Sequence, residues 1–289
     1  IKLKYFLLNN IIYIIMIFME KFMKNITKMF LFILSFYLVL GSLWIGKDVI
    51  IHYQNIDGLP ILGYHGVLED KDKEKYFANY PYCMSLSEFE AQMKYLNQNN
   101  YHTLTMDEIN DYYQNHTPLP KKSVALTFDD GLLNFKTVVK PILEKYNFKA
   151  TCFVIGYKTT VKNSQNPYKH QYLRKSDLVN DEYVEYYSHS YNLHHNTKYP
   201  NTKLIETLST QEIINDFKQN ENIVSSKYFA FPYGRTCDNA NEALIKANVS
   251  LAFGYNQNRT MTYHDDKYLL PRYLMFSKMP MFYFKWIVE

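Results

Sequence analysis

Ser123-Val-Ala-Leu-Thr-Phe-Asp-Asp-Gly131 is the stretch of sequence that decides the fold. Its apolar residues predict a buried strand, and the two carboxylates and the glycine predict that this strand ends in a loop at Asp129 and Asp130. The ends of parallel strands form the rim on which α/β proteins place their chemistry. Successive side chains of an extended segment point in different directions, so one aspartate can hold a cation while the other handles a proton. The alternative is that Asp-Asp-Gly serves only as a turn.

Segments typical of strands alternate with segments typical of helices along the rest of the chain. This alternation predicts parallel strands joined by crossover helices, either in a barrel or in an open doubly wound sheet. The predicted strands are Leu59–Tyr64, Val124–Phe128, Lys149–Ile155, Glu182–Ser188, Tyr228–Phe231, Leu251–Phe253 and Tyr268–Leu270. The predicted helices begin at the capping boxes Ser87-x-x-Glu90, Thr105-x-x-Glu108 and Ser209-x-x-Glu212 or lie at Phe135–Tyr146 and Asn239–Ala247. Leu68–Tyr82 and Tyr157–Tyr172 are expected to be loops.

Composition and charge exclude several classes of protein. Hydrophobic residues make up 47% of the 289 residues, which excludes disorder as the main state. Residues 1–47 carry six lysines and one glutamate, so the remaining 26 basic and 27 acidic residues nearly balance. That balance argues against a nucleic-acid partner, which would require a basic face. The three cysteines are far apart and form no CxxC pair, so neither a disulfide framework nor a cysteine metal site is expected.

The N-terminal region contains a candidate membrane anchor. Met29–Ile45 is a run of 17 residues without charge that follows three lysines, and as a helix it would span roughly 26 Å. We expect 29–45 to be a transmembrane anchor, with a cleaved signal peptide as the alternative. The lysines would stay in the cytoplasm, so a linker at 46–58 and a domain at 59–289 would lie on the extracellular face or be secreted. Segment 1–28 either precedes the true start or forms a second span.

A cluster of polar residues, Ser188-His-Ser-Tyr-Asn-Leu-His-His195, directly follows a predicted strand. His189 and His194 are five residues apart, so on a helix they would face away from each other, and a shared ligand must be held from a loop. Two imidazoles and one carboxylate are a common ligand set for a catalytic divalent ion. With Asp130 at a second strand end, the sequence therefore favours a metal site over structural histidines.

A third cluster, Phe229-Ala-Phe-Pro-Tyr-Gly234, is another apolar run that ends in turn residues. Pro232, Tyr233 and Gly234 alone would indicate only a turn. On the same rim as the other two clusters, they would add an aromatic wall for a sugar ring and backbone N–H groups for a developing oxyanion.

The three clusters together resemble the motifs of the polysaccharide deacetylases, carbohydrate esterase family 4 or the NodB homology domain. Thr127-Phe-Asp-Asp-Gly131 matches their first motif. His189-Ser190 is followed by His194 one residue later than in the usual second motif, and Ala230 replaces the usual arginine of the third. Both departures resemble the motif variants of the poly-β-1,6-N-acetyl-D-glucosamine N-deacetylases of biofilm systems, the intercellular adhesin deacetylase type. The resemblance covers about 59–272.

The resemblance implies a distorted (β/α) barrel, preceded here by the membrane-anchor helix. It also implies a divalent metal ion held by Asp130, His189 and His194, with Asp129 as general base and the N–H of Tyr233 on the oxyanion. Zinc is the expected metal, and cobalt, nickel and iron suit the same ligands. The general acid has no matching motif. Supporting roles fall to His65, Pro232 and Arg272. Arg272 either orients Asp129 in place of the missing arginine or lies on the surface. His65, His195 and His264 are the candidates for the general acid, and His264 is expected to be exposed.

The expected activity is that of a hydrolase of linear amides, an N-deacetylase that releases acetate from an extracellular N-acetylglucosamine polymer. The resemblance points to poly-β-1,6-N-acetyl-D-glucosamine exopolysaccharide in the biofilm matrix, with the membrane and the exopolysaccharide synthesis machinery as further partners. The alternatives are a deacetylase of peptidoglycan or chitin-type β-1,4 chains, a polysaccharide O-deacetylase, and a catalytically silent carbohydrate-binding protein of the cell surface.

Overall fold

The computed structural model describes residues 24–25, 28–38, 41, 58–199, 201–257 and 259–289. The chain divides into two compact units, Ile1–Tyr53 and Gln54–Glu289. In the first unit, residues 28–38 are helical with exposed side chains. None of the helices within the described ranges is both long enough and apolar enough to cross a membrane. The rest of the predicted anchor 29–45 and nearly all of segments 1–28 and 46–58 lie outside the described residues.

The second unit is built on a parallel sheet that contains eight strands within the described part of the chain. Its strand order is β10-β1-β5-β6-β7-β8-β9, and β4 pairs with β5 beside this path. Strands β2 and β3, which follow β1 in sequence, form a separate parallel pair. The strands are β1 (Ile61–Tyr64), β2 (Gly66–Leu68), β3 (Cys83–Ser85), β4 (His102–Thr103), β5 (Ser123–Phe128), β6 (Ala150–Val154), β7 (Val184–Ser188), β8 (Tyr228–Ala230), β9 (Leu251–Phe253) and β10 (Tyr273–Leu274).

The register of the central strands fixes where the three polar clusters lie. Thr127 of β5 is opposite Thr151 of β6, and Val154 of β6 is opposite Ser188 of β7. Ser188 in turn faces Phe229 of β8. Because all these pairs are parallel, the carboxyl ends of β5, β7 and β8 lie on one edge of the sheet. The predicted α/β class is confirmed, and the sheet is a curled half-barrel.

Helices pack around this sheet and close the core. The helices are α1 (Asp70–Phe77), α2 (Leu86–Gln98), α3 (Met106–Asn115), α4 (Lys140–Tyr146), α5 (Gly156–Thr160), α6 (Thr210–Glu221), α7 (Asp238–Lys246) and α8 (Met281–Val288). A π-helical turn at Phe135–Val139 leads into α4, and short 3₁₀ turns occur at Lys175–Asp177, Leu204–Thr207 and Pro232–Gly234. One buried cluster contains residues from five different strands, namely Ile61, Ala125, Phe153, Ala230 and Phe253, so these strands share one core.

Four local predictions were wrong, and one of them is the loop Tyr157–Tyr172, whose first residues belong to α5 (Gly156–Thr160). The capping box of α2 lies two residues before the predicted one: the Glu88 N–H donates to Ser85 Oγ at 3.2 Å and the Ser85 N–H to Glu88 Oε2 at 2.8 Å. The predicted loop Leu68–Tyr82 contains α1. Of the predicted strand Tyr268–Leu270, only Leu270 pairs, in a single parallel bridge with Phe253 of β9, and the last strand lies later, at Tyr273–Leu274, beside β1.

Candidate active site

The end of β5 separates the two aspartates. The Asp129 N–H still donates to the Tyr64 carbonyl at 2.9 Å, as in a strand. Asp130 then adopts a left-handed conformation with φ of 76°, and Gly131 follows with φ of 68°. A Cβ on Gly131 would lie 2.9 Å from Val154 Cγ1, so the turn requires glycine. The two neighbouring carboxylates therefore point to different surroundings.

Asp129 is held in a buried ion pair. Its two oxygens accept from Nη1 and Nη2 of Arg272 at 2.8 Å each, and Oδ2 also accepts from the Tyr255 hydroxyl at 2.7 Å. Arg272 is fully buried and donates further to the Gly254 carbonyl and Thr127 Oγ1. Burial alone would raise the pKa of Asp129, but the adjacent guanidinium holds that pKa well below its ordinary value. Of the two readings of Arg272, the structure supports the contact with Asp129.

Asp130, His189 and His194 form a cluster with the chemistry of a metal site. Asp130 Oδ1 lies 3.6 Å from His189 Nε2 and 3.5 Å from His194 Nε2, and the three ligand atoms lie within 4.8 Å of one another. Asp130 Oδ1 is buried and has no hydrogen-bond partner among the described residues. A buried carboxylate oxygen without a donor is costly unless a cation neutralises it. The residues present therefore fit a bound divalent ion.

The histidine rings are oriented for this task. His189 Nδ1 lies 2.7 Å from the Ala230 carbonyl, so Nδ1 carries the proton and the Nε2 lone pair faces Asp130. Burial lowers the pKa of His194 to about 4, although the Asp130 charge opposes this shift. The His194 ring thus reaches the cluster as a neutral imidazole at neutral pH. Ala230 contributes through its backbone, which explains how the site tolerates a small residue there.

The loop between the histidines is fixed by helix α6. Buried Asp216 accepts the N–H groups of Tyr191 at 2.7 Å and Asn192 at 2.8 Å. One turn later, Asn220 Nδ2 donates to Ser188 Oγ at 2.7 Å. Burial raises the pKa of Asp216 to about 6, even though the two N–H donors favour its ionised form. The longer spacing between His189 and His194 is thereby held in one conformation.

Tyr233 forms part of the wall beside the cluster. Its backbone is left-handed with φ of 60°, between buried Pro232 and Gly234. Its ring packs on His194 with centroids 4.1 Å apart and remains 37% exposed. Lys203 Nζ lies 4.1 Å from the same ring. The strained turn is typical of functional sites and places Tyr233 at the rim, as the sequence predicts.

The other three histidines named from the sequence differ in exposure and in position relative to the site. His65 is half-buried at the end of β1, and its ring lies 5.4 Å from Tyr82 and 6.4 Å from Tyr255. Its Nδ1 is buried and finds no hydrogen-bond partner in the described chain. His195 is exposed, with Nε2 2.9 Å from Asn192 Oδ1, and His264 is exposed as expected. Of these three, only His65 lies beside the Asp129 pocket.

Sequence reasoning missed two residues of the site. Tyr255 follows the end of β9, so the strand-end rule that found Asp129 would also have found it. Its approach requires Gly63, because a Cβ there would lie 2.6 Å from the Tyr255 ring. Asp216 lies within an ordinary amphipathic helix, and no local pattern indicates that its carboxylate faces the histidine loop.

A sequence model of the polysaccharide deacetylase family matches residues 116–252. Residues 116–252 therefore correspond to a polysaccharide deacetylase domain. The match includes Asp129, Asp130, His189, His194 and Tyr233 of the deacetylase domain. Curated relatives are the poly-β-1,6-N-acetyl-D-glucosamine N-deacetylases of Staphylococcus aureus, 29% identical over 200 residues that cover 67% of this chain and 68% of the relative. The Staphylococcus epidermidis protein of the same name is 29% identical over 206 residues, with the same two shares of coverage.

Solved structures resemble the deacetylase domain as well. IcaB from Ammonifex degensii matches with a TM-score of 0.64 and 25% identity, covering 80% of this chain and 97% of that structure. The Streptococcus pyogenes deacetylase PplD, solved in complex with acetate, matches with a TM-score of 0.64 and 22% identity over 80% of this chain and 98% of that structure. The fold of the deacetylase domain is therefore shared with known deacetylases.

Proposed function

We propose that the protein is a metal-dependent N-deacetylase of an extracellular N-acetylglucosamine polymer, with poly-β-1,6-N-acetyl-D-glucosamine of a biofilm matrix as its substrate. The convergence of Asp130, His189 and His194 beside the buried Asp129 is the observation that carries this proposal. The names of the staphylococcal relatives support the choice of polymer. We also propose that the domain acts at the extracellular face of the membrane, anchored by 29–45 and close to the exopolysaccharide synthesis machinery.

Asp130, His189 and His194 are the proposed ligands of a divalent ion. One carboxylate and two neutral imidazoles suit zinc and also cobalt, nickel or iron. When bound, such an ion would place positive charge beside the acetamide carbonyl and lower the pKa of a water molecule. The Ala230 carbonyl keeps His189 in the required tautomer, as its 2.7 Å contact with Nδ1 indicates.

Asp129 is the proposed general base. An ionised carboxylate offers about four acceptor positions. Arg272 and Tyr255 fill three of them, which leaves one for the proton of an attacking water molecule. The low pKa keeps Asp129 ionised, so at neutral pH its carboxylate is in the form that accepts a proton.

His65 is the proposed proton donor to the departing amine, the role for which the sequence offers no motif. It stands across Tyr255 from the Asp129 pocket, with its ring centroid 6.4 Å from that of Tyr255. Its buried Nδ1 has no partner in the described structure and is therefore available to a substrate nitrogen. A donor is required because an amine leaves as a neutral molecule only after its nitrogen is protonated.

Tyr233 completes the proposed machinery. Its backbone N–H would donate to the oxygen that becomes negative as water adds to the acetamide. Pro232 precedes it and restricts the turn to one conformation, since proline fixes its own φ. The Tyr233 ring, packed on His194, would form one wall for the sugar that carries the acetamide.

Release of acetate from purified poly-β-1,6-N-acetylglucosamine tests the proposal. Wild-type protein should release acetate, a chelator should abolish the release, and added zinc should restore it. Asp129→Asn should bind zinc normally but release acetate at least about a hundredfold more slowly. Release that is indifferent to both the chelator and Asp129→Asn would refute the mechanism. Faster release from β-1,4-linked or O-acetylated polymers would refute the choice of substrate and leave the metal mechanism intact.

A further inference from the structure

A row of aromatic rings leads away from the site and has no role in the chemistry proposed above. The ring centroid of Tyr82 is 5.5 Å from that of Tyr80, and Tyr80 is 5.2 Å from His170. His170 stacks on Phe77 with centroids 5.0 Å apart. We call Tyr82, Tyr80, His170 and Phe77 the aromatic row. Its first member lies 5.4 Å from the ring of His65, so the row begins at the active site.

The backbone beneath the row is fixed. Lys73 is 6% exposed, and its Nζ donates to the carbonyls of Phe77 at 2.7 Å and Tyr80 at 2.9 Å. The Ser277 N–H donates to the Pro81 carbonyl at 2.9 Å. A buried lysine whose charge is satisfied by carbonyls of one turn holds that turn in place. The tyrosine rings are therefore presented by a rigid support.

The rings themselves remain open to solvent. Tyr80 is 38% exposed and Tyr82 is 39% exposed. Burial and, after it, the charge of Asp130 raise the pKa of Tyr80 to about 12. At the other end, Phe77 and His170 line a groove of about 360 Å³ together with Tyr76 and Leu133. That volume is in the range of small-molecule sites.

Rigid, exposed rings that bear polar hydroxyl or imidazole edges suit a ligand with both apolar faces and polar edges. A pyranose ring has this character, because its C–H groups form apolar faces while its hydroxyls project sideways. The reacting sugar must lie at the metal cluster, and a polymer must then continue to one side or the other. The aromatic row begins beside that cluster. This position favours the substrate polymer, rather than a protein or a lipid, as the ligand of the row.

We propose that the aromatic row binds the sugar units of the polymer that adjoin the unit being deacetylated. This proposal rests on the proposed deacetylase function and concerns the extent of the substrate, so that the enzyme would favour long chains over short ones. Tyr80 and Tyr82 would contact the adjoining unit, and the groove beyond Phe77 would receive a more distant one.

Rates of acetate release from N-acetylglucosamine oligomers of increasing length test the proposal. The wild-type kcat/KM should rise from the disaccharide to the pentasaccharide. Tyr80→Ala should lose roughly tenfold on the pentasaccharide and little on the disaccharide. Tyr80→Phe keeps the ring and should retain most of the length dependence. Tyr263→Ala removes a tyrosine that is 42% exposed and packs on Tyr112 and His116, so it should match the wild type at every length.

Binding of the same oligomers to Asp129→Asn, with and without Tyr80→Ala, gives a readout independent of turnover. The second substitution should weaken pentasaccharide binding roughly tenfold and leave disaccharide binding unchanged. Equal losses at all lengths, or none, would overturn the proposal about the row. Absence of acetate release from every oligomer by the wild-type protein would instead overturn the proposed function, so the two failures are distinguishable.

Discussion

Arg272 and Asp129 form a two-pronged ion pair in which neither side chain reaches solvent, although 143 residues separate them in sequence. The arginine comes from the segment that leads into β10 and the aspartate from the end of β5, with β1 between these strands. The pair therefore forms only when β10, β1 and β5 are assembled side by side. It keeps Asp129 ionised and fixes the direction of its oxygens.

Loss of Arg272 should destabilise the protein strongly. Arg272→Met leaves the Asp129 charge buried without an opposite charge beside it, and removal of one member of a buried ion pair costs about 3–5 kcal/mol. The free energy of unfolding, measured with urea at pH 7, should fall by this amount. Arg272→Met combined with Asp129→Asn should be less destabilised than the sum of the two single variants, because no buried charge remains. Additive effects would show that the ion pair contributes little.

The pH dependence of activity should also reflect this pair. Arg272 lowers the pKa of Asp129, while burial raises it, so Arg272→Gln should raise that pKa. The base is active when ionised. The acidic limb of the kcat/KM profile should therefore move to higher pH in Arg272→Gln, with activity lost as pH falls through the raised pKa. Tyr255→Phe, which removes one hydrogen bond and no charge, should move the limb less. An unchanged limb in Arg272→Gln would rule out Asp129 as the base.

Substitution of His65 should slow the reaction of substrates with an amine leaving group more than that of substrates with an aryl alcohol leaving group. An amine requires a proton to depart, whereas an aryl alcohol leaves readily as its anion. His65→Gln should therefore slow amide deacetylation by about a hundredfold or more and affect hydrolysis of an aryl acetate much less. His195→Gln serves as the control, because His195 is exposed and should leave both rates unchanged. Equal slowing of both substrates by His65→Gln would assign that residue to binding or structure.

Asp216 should contribute to metal affinity without contacting the metal ligands. Its carboxylate accepts the Tyr191 and Asn192 N–H groups between the two histidines. Asp216→Ala should weaken zinc binding by about 10- to 100-fold, as for other residues that orient metal ligands. Asp216→Asn keeps one acceptor oxygen, so its zinc affinity should lie between those of Asp216→Ala and the wild type. Gln211→Ala, on the exposed side of the same helix, is the matched control. Calorimetric titration of the metal-free protein with zinc measures all four.

The sequence predicted the site best where chemistry follows directly after a strand. Asp130, His189 and His194 were expected together because each follows a strand with a recognisable apolar pattern, and the structure places them within 4.8 Å. Sequence alone does not identify the partner of Asp129, since nothing near Arg272 in sequence reveals what that side chain contacts. Sequence pattern indicates which edge of a sheet a residue reaches, but not which side chain crosses to meet it.

The aromatic row and its support were missed for a related reason. Leu68–Tyr82 was expected to be a loop, because the charges of Asp70–Phe77 show no strong apolar stripe. Lys73 is an example: a lysine is rarely buried, and only the fold reveals the two carbonyls that accept from its Nζ. His170 lies in a polar segment distant in sequence, and its stacking on Phe77 depends on tertiary packing alone.

The ligand positions also have a thermodynamic consequence. Asp130 follows β5 whereas His189 and His194 follow β7, and β6 lies between these two strands. An ion held by all three would act as a reversible cross-link that closes the intervening stretch of chain, and the unfolded chain has no comparable site. By mass action, free zinc at a hundred times its dissociation constant would stabilise the folded state by about 2.7 kcal/mol. The melting temperature should thus rise steadily with the logarithm of zinc concentration, and the availability of metal would set the lifetime of the folded protein.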